Sequence, residues 1–171
     1  MRNRPSRYRH RSEFAGLILR SSVGTTLIAH GLRHGRTLDG TARWFESIGF
    51  RQPRLQAQAS SAIEVGAGAA LIAGAVTPLA ASAIVGTMAV AARTVHVPNG
   101  FFITGEGYEY VATIAAASVA AATLGGGRYS VDGALGWDAQ LSGVRGAVLA
   151  TGLGLLGAAG QLAAFWRKPA G

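Results

Sequence analysis

Ionisable side chains inside otherwise apolar segments are the residues of this chain best placed to support chemistry. Arg20, Glu64 and Arg93 each lie within a long run of small and aliphatic residues. A charged side chain at the centre of a bilayer costs at least about 2.5–3.5 kcal/mol, so it persists where it is paired, hydrated or functional. These three residues are therefore the first candidates for buried ion pairs or a binding site.

A polar turn from His96 to Tyr110 separates two of the apolar segments and holds further candidate groups. Pro98 disfavours helical geometry in the residue before it, so the preceding helix is predicted to end there. Asn99 is followed by glycine, a pairing typical of tight turns. Glu109 is predicted to lie in the first turn of the next helix, where a carboxylate suits the helix dipole. We expect most of the interior polar groups to gather near this turn.

The composition indicates that membrane helices position these groups. Hydrophobic residues make up 49% of the chain and charged residues 14%, whereas about a quarter of the residues of soluble domains are charged. The 25 glycines suit helices that pack closely in lipid. No alternating strand pattern is present, so the apolar segments are predicted to be helical. The chain has no cysteine, which excludes disulfides, thiol catalysis and thiolate metal sites.

The predicted fold class is all-α: a polytopic transmembrane helical bundle with a four-helix core and a fifth, C-terminal membrane helix. The fifth segment has 23 residues, and about 20 are needed to cross a bilayer. The predicted spans are Phe14–Leu32, Ala57–Val76, Leu79–Val97, Tyr108–Leu124 and Val144–Trp166.

Two polar segments flank the first span. Residues 1–12 contain five arginines and no acid, which predicts a disordered basic tail at a membrane surface. Residues 36–56 are predicted to form a short amphipathic helix at the interface, with an ordinary loop as the alternative. The residues of its apolar face would be Leu38, Ala42, Phe45 and Ile48.

The depth of each charge follows from its distance to the ends of its span. We name the membrane face on the N-terminal side face A and the other face B. At about 1.5 Å per residue, Glu64 lies roughly 10 Å and Arg93 roughly 6–9 Å below face B. We therefore predict that Glu64 pairs with Arg93 near face B. The neighbours expected in this polar cluster are His30, His96, Asn99 and Glu109.

The predicted cluster has two interpretations. It is either an ion pair that fixes helix register or a polar pocket for a ligand or a proton. Arg20 lies roughly 9 Å below face A and needs a different partner. Arg128 and Asp132 follow the fourth span on that face, so Arg20–Asp132 is predicted as a second ion pair. The alternative is that Arg20 extends to lipid headgroups.

Other patterns are too weak to assign chemistry. His30 and His34 have the i,i+4 spacing of a helical metal site, but no third ligand is close in sequence, so we predict no metal. No set of Ser, His and Asp and no pair of carboxylates has a spacing typical of catalysis. We therefore predict no catalytic residues, and the sequence leaves open whether the chain is an enzyme.

The formal net charge of +8 raises the question of nucleic-acid binding. Ten of the sixteen basic residues lie in Arg2–Arg11 and Arg33–Arg54, on either side of the first span. Basic flanks beside an apolar span set membrane orientation and bind anionic headgroups. We therefore expect a multi-pass cell-membrane protein that contacts lipid and no nucleic acid. Basic residues are equally frequent on the two faces, and we expect the N-terminus in the cytoplasm because the arginine-rich tail resists translocation.

These residues resemble the DoxX family of small bacterial membrane proteins. The matching pieces are Arg20, His30-Gly31, Glu64-Val65-Gly66 with Leu71–Gly74, Asn99-Gly100-Phe101-Phe102, Gly107-Tyr108-Glu109-Tyr110 and Gly127-Arg128-Tyr129-Ser130-Val131-Asp132. The resemblance covers about residues 14–133, a DoxX-like membrane bundle that follows a basic tail at 1–13. Residues 134–171, a loop and the fifth helix, are an addition to the four-helix pattern of the family.

The resemblance implies an accessory subunit or membrane anchor of a redox assembly, quinone-linked or active in oxidative stress. It implies redox-protein partners and quinone as the one candidate cofactor. It carries over no catalytic residue, and Glu64, Asn99, Glu109, Arg128 and Asp132 correspond only to motif positions. Two alternatives stay open: a small proton-coupled transporter that uses Glu64 or Glu109, and a purely structural membrane protein. The sequence does not indicate the substrate or the oligomeric state.

Overall fold

The computed structural model describes residues 6–169, with side chains from residue 12 onward, and it contains helices and no β-strand in that range. The long helices are α1 (Ser6–Arg36), α2 (Leu38–Ser47), α3 (Pro53–Ala73), α4 (Thr77–Ala91), α5 (Glu109–Leu124) and α8 (Gly143–Phe165). Two single-turn helices, α6 (Val131–Ala134) and α7 (Asp138–Leu141), lie between α5 and α8. The all-α prediction is confirmed.

Each predicted span contains a helix. α3 ends at Ala73, before the predicted end of its span at Val76, and α1 is longer than predicted. It begins at Ser6, so residues 6–12 are helical rather than disordered; residues 1–5 of the predicted tail lie outside the described residues. The predicted amphipathic helix is confirmed as α2, in which Phe45 is buried and Leu38 and Ala42 pack against the same apolar cluster.

Two of the helices in the described residues are long and apolar enough to cross a membrane. They are Gly143–Phe165 and the continuous helical stretch Thr77–Asn99. The second stretch comprises α4, a π-helical turn at Ala92–His96 and a 3₁₀ turn at Val97–Asn99. α5 is apolar but shorter. The predicted number of membrane crossings stays a prediction.

The helices pack side by side around one apolar core. α1 contacts α3 and α5, α4 contacts the same two helices, α8 packs on α4 and α5, and α2 packs on α3. Leu27, Leu71 and Ile84 are among the most buried core side chains. This arrangement leaves two polar regions, one at each end of the bundle.

Glycines allow α1 and α3 to approach closely. A side chain at either Gly24 or Gly68 would collide with the other helix. A Cβ added to Gly24 would lie 2.5 Å from the carbonyl oxygen of Gly68, and a Cβ added to Gly68 would lie 2.6 Å from the carbonyl oxygen of Gly24. A Cβ on Gly31 would lie 2.8 Å from the Ser61 carbonyl oxygen, and the Ser61 hydroxyl donates to the Gly31 carbonyl at 2.7 Å. Small residues at such crossings bring backbones into contact, and here they hold the polar side chains of α1 against α3.

Candidate functional site

A cavity of about 330 Å³ lies at the face B end of the bundle, beneath the 96–110 turn. Much of its wall is apolar and includes Leu27, Phe45, Met88 and Val111. Polar side chains enter it from several helices, among them His30, His34, Ser60, Glu64, His96 and Tyr110. Ligand cavities typically measure about 300–1,000 Å³ and combine an apolar wall with a few polar groups. This cavity is the candidate binding site.

Glu64 is the buried acid of the cavity, with 4% of its surface exposed. Its Oε1 accepts a hydrogen bond from the Ser60 hydroxyl at 2.7 Å. Its Oε2 lies 3.2 Å from His34 Nδ1, yet the orientation is not that of a hydrogen bond. Neither of those two atoms has a hydrogen-bond partner among the described residues. A buried polar atom without a partner costs about 1–3 kcal/mol, and more when it is charged. Glu64 Oε2 and His34 Nδ1 therefore form an ion-pair contact without a hydrogen bond, on the wall of the cavity.

The side chains of His30 and Tyr110 extend the polar wall from Glu64 and His34 toward the surface. The ring centroids of His30 and His34 are 6.3 Å apart. The Tyr110 hydroxyl lies 3.3 Å from His30 Nε2, within hydrogen-bond distance. Since His30 is exposed and Glu64 is buried, these groups form a line from the interior to face B. α1, α3 and α5 each contribute to it.

The predicted Glu64–Arg93 ion pair is wrong. Arg93 is exposed, and its guanidinium carbon lies 4.8 Å from the centroid of the Trp166 ring. Depth along a helix does not fix the direction of a side chain around the helix axis. Arg93 lies in the π-helical turn that follows α4, and an extra residue in a turn redirects the side chains that follow it. Its partner is thus the end of α8 rather than α3.

The other predicted members of the cluster divide into two groups. His96 lines the cavity with His30 and Glu64, and its Nδ1 lies 2.6 Å from the carbonyl oxygen of Glu106. Asn99 is exposed and donates to the Val95 carbonyl at 3.1 Å. Glu109 accepts a hydrogen bond from the Ile103 N–H at 3.0 Å. Asn99 and Glu109 therefore shape the turn above the cavity and do not line it.

His34 and Tyr110 belong to the cavity and were missed by sequence reasoning. The signal for His34 was its i,i+4 spacing from His30, which was interpreted as a weak metal motif. Within the described residues, no three His, Asp or Glu side chains come together in a way that could hold a metal ion. The shared helix face instead directs both imidazoles toward the cavity.

At the face A end, Arg20 and Asp132 stabilise the turn between α3 and α4. Arg20 is 1% exposed and donates to the carbonyls of Leu71 at 3.3 Å, Ile72 at 3.0 Å and Tyr129 at 3.2 Å. The Leu71 and Ile72 carbonyls are at the C-terminal end of α3, where helix carbonyls lack partners within the helix. Arg20 therefore caps α3, and its burial excludes the predicted alternative of extension to headgroups.

Asp132 caps the following helix. It is fully buried, and its carboxylate accepts hydrogen bonds from the N–H of Val76 at 2.7 Å and from the N–H and hydroxyl of Thr77 at 2.8 and 2.7 Å. The predicted Arg20–Asp132 ion pair is wrong, since no contact within 4.0 Å joins the two groups. Arg128 is exposed and stacks on Tyr129, with its guanidinium carbon 4.7 Å from the ring centroid. Both buried charges bond mainly to backbone groups instead, together with the Thr77 hydroxyl, and Arg20 Nε has no hydrogen-bond partner among the described residues.

Comparison with known proteins finds a family match for part of the chain. The sequence model of the DoxX family matches residues 15–97, which include Arg20, His30, Glu64 and His96. No curated protein and no solved structure is significantly similar to the chain. The matched range ends before Asn99, so the extension of the resemblance to residue 133 stays a prediction. The two long apolar helices agree with a membrane location. Residues 15–97 of the chain therefore match the DoxX family.

Proposed function

We propose that this protein is an integral membrane accessory subunit or anchor of a redox assembly, and that its cavity holds a quinone-like ligand. The observation that carries the proposal is a largely apolar cavity with the Glu64 and His34 atoms that lack hydrogen-bond partners on its wall. A quinone head group is an apolar ring with two oxygens, and it matches such a wall. The volume of about 330 Å³ is near the lower end for ligand sites, which suits a head group whose tail lies in lipid.

The chemistry of the wall favours the reduced, hydroxyl-bearing form of the ligand. Glu64 Oε2 would accept a hydrogen bond from one hydroxyl, and His34 Nδ1 lies 3.2 Å from that oxygen. The Tyr110–His30 pair would contact the second oxygen of the ring. These roles are binding and positioning. Because the chain has no cysteine, thiol redox chemistry in such an assembly would come from a partner protein.

Purification from the native membrane tests the proposal. We expect the protein to retain a quinone, detected by solvent extraction and mass spectrometry, or to copurify with a redox protein. Homogeneous protein with neither would contradict it.

One observation favours a proton-coupled transporter as the second candidate, namely the line from Glu64 through His34 to His30. Proteoliposomes with no proton flux above that of protein-free vesicles would remove the second candidate and leave the first.

The membrane topology is part of the same proposal. We propose five crossings with the N-terminus in the cytoplasm, because α1, α3 and α5 pack alongside α4 and the arginine-rich tail resists translocation. The absence of native cysteine permits single-cysteine labelling in intact cells. A membrane-impermeant maleimide is expected to label Ser47→Cys, on the face B side, and to spare Ala134→Cys, on the face A side. The reverse pattern would place the N-terminus outside.

A further inference from the structure

Basic residues from three distant parts of the sequence meet at the face B end of the bundle. Three hydrogen bonds join the α2–α3 connection to the end of α8. The Arg51 N–H donates to the Phe165 carbonyl at 2.7 Å, and the Arg167 N–H donates to the Gly49 carbonyl at 3.0 Å. The Trp166 Nε1–H donates to the Ile48 carbonyl at 2.8 Å. The end of α4 joins them through the stacking of Arg93 on Trp166. We name this cluster the basic corner; its members are Arg51, Arg54, Arg93, Arg167 and Lys168.

The positive charge of the basic corner is largely uncompensated. All five side chains are exposed. Within the described residues, Arg54 is the one member with a carboxylate partner, Asp39, at 2.6 Å. Arg167 uses Nη1 to donate to the carbonyls of Trp166 at 2.9 Å and Ala163 at 3.3 Å, which leaves its charge in place. Clustered like charges repel and raise the local concentration of anions.

Arg93 is the member with the most defined geometry. Its guanidinium lies over the Trp166 ring, a contact that restricts the plane of the group and leaves its N–H edges for an anion. It projects from a π-helical turn, and π-bulges in helices are frequent at functional sites. Guanidinium groups bind phosphate through two parallel N–H···O bonds. The stacked arginine is therefore arranged to hold a phosphate.

The position of the corner identifies the source of that phosphate. The two helices that are long and apolar enough to cross a membrane both end here, Thr77–Asn99 and Gly143–Phe165. Tryptophan at the end of a membrane helix lies at headgroup depth. We propose that the basic corner binds the phosphate of an anionic phospholipid headgroup, with Arg93 on Trp166 as its principal contact. This site is separate from the cavity and does not depend on the proposed quinone ligand.

Native mass spectrometry of the full-length protein tests this site with equal amounts of phosphatidylglycerol and phosphatidylcholine. We expect the wild type to retain more phosphatidylglycerol. Arg93→Gln should lower that preference about five-fold, from the contribution of one basic residue near an anionic surface. Arg128→Gln is the matched control, because Arg128 is also exposed and also stacks on an aromatic ring, at 4.7 Å from the Tyr129 centroid, but at the face A end. The control should keep the preference.

A second measurement reports on Trp166 itself. The chain has three tryptophans, so Trp44→Phe with Trp137→Phe leaves Trp166 as the fluorophore. Brominated phosphatidylglycerol should quench it more than brominated phosphatidylcholine. Equal retention of the two lipids by the wild type, or equal losses in Arg93→Gln and Arg128→Gln, would overturn the proposal. Inorganic phosphate is added as a competitor at the same concentration as the lipid. If it protects Trp166 from quenching, the site binds free phosphate, and the lipid proposal is overturned.

Discussion

Arg20→Met is expected to destabilise the protein by about 3–5 kcal/mol, because it leaves buried carbonyl oxygens without a donor and each such loss costs about 1–3 kcal/mol. The guanidinium donates to three carbonyl oxygens, those of Leu71, Ile72 and Tyr129. Methionine fills the space of the arginine stem but is shorter and has no donor, so all three hydrogen bonds are lost. Two of the carbonyls belong to the end of α3, and the third connects the loop after α5 to that helix. The substitution therefore loosens two parts of the bundle at once.

Thermal unfolding in detergent measures this effect. For a chain of this length, about 2–4 °C of Tm corresponds to each kcal/mol, so we expect Tm to fall by roughly 6–20 °C. Arg128→Met is the control, because Arg128 is exposed and contacts only the face of Tyr129 in the contacts described above. Equal small shifts for the two variants would show that Arg20 is not structurally important. Arg20→Lys should be intermediate, since an ammonium keeps the charge but lacks the planar fork.

The sequence predicted the helices well because long apolar segments leave the backbone few alternatives to a helix. It was less informative where glycine interrupts a helix. The first span was predicted to end at Leu32, next to Gly31, yet α1 continues to Arg36. A Cβ on Gly31 would lie 2.8 Å from the Ser61 carbonyl oxygen. The glycine serves the contact between two helices, and that role depends on a partner that is distant in sequence.

The candidate site was predicted in part. Depth placed Glu64, His30 and His96 at one end of the bundle, and all three line the cavity. Depth did not predict that Arg93 would face the end of α8, because the π-helical turn that redirects it leaves no recognisable sequence pattern. A charge in an apolar run indicated burial correctly for Glu64 and Arg20, but not the identity of the partner.

Backbone partners explain why the predicted Arg20–Asp132 ion pair was wrong. Arg20 donates to carbonyl oxygens through its two terminal nitrogens, and Asp132 accepts from two N–H groups and a hydroxyl. Every helix end offers such groups, and they carry no residue-specific signal. Pairing by opposite charge considers side chains alone and therefore overlooks them. The useful inference from a buried charge is that a helix end or an oppositely charged side chain lies nearby.

Glu64→Gln is expected to weaken the binding of a short-chain quinol by roughly ten-fold to 150-fold. A hydrogen bond to a charged group contributes about 1.5–3 kcal/mol, and each 1.4 kcal/mol is about ten-fold in affinity. Glu64 Oε2 lacks a hydrogen-bond partner among the described residues, so a ligand hydroxyl would supply its first. Glutamine has the same size but offers a neutral amide. The oxidised quinone has no hydroxyl to donate, so its affinity should change much less.

Calorimetric titration of the purified protein with the quinol and the quinone separates these cases. Glu46→Gln is the matched control, because it makes the same chemical change at an exposed position on α2 and should leave both affinities unaltered. Thermal unfolding of each variant verifies that the fold is retained. If Glu64→Gln bound quinol as tightly as the wild type, the carboxylate would not be a ligand contact. The pairing of Glu64 with His34 would then serve only to pack α1 against α3, as the purely structural alternative requires.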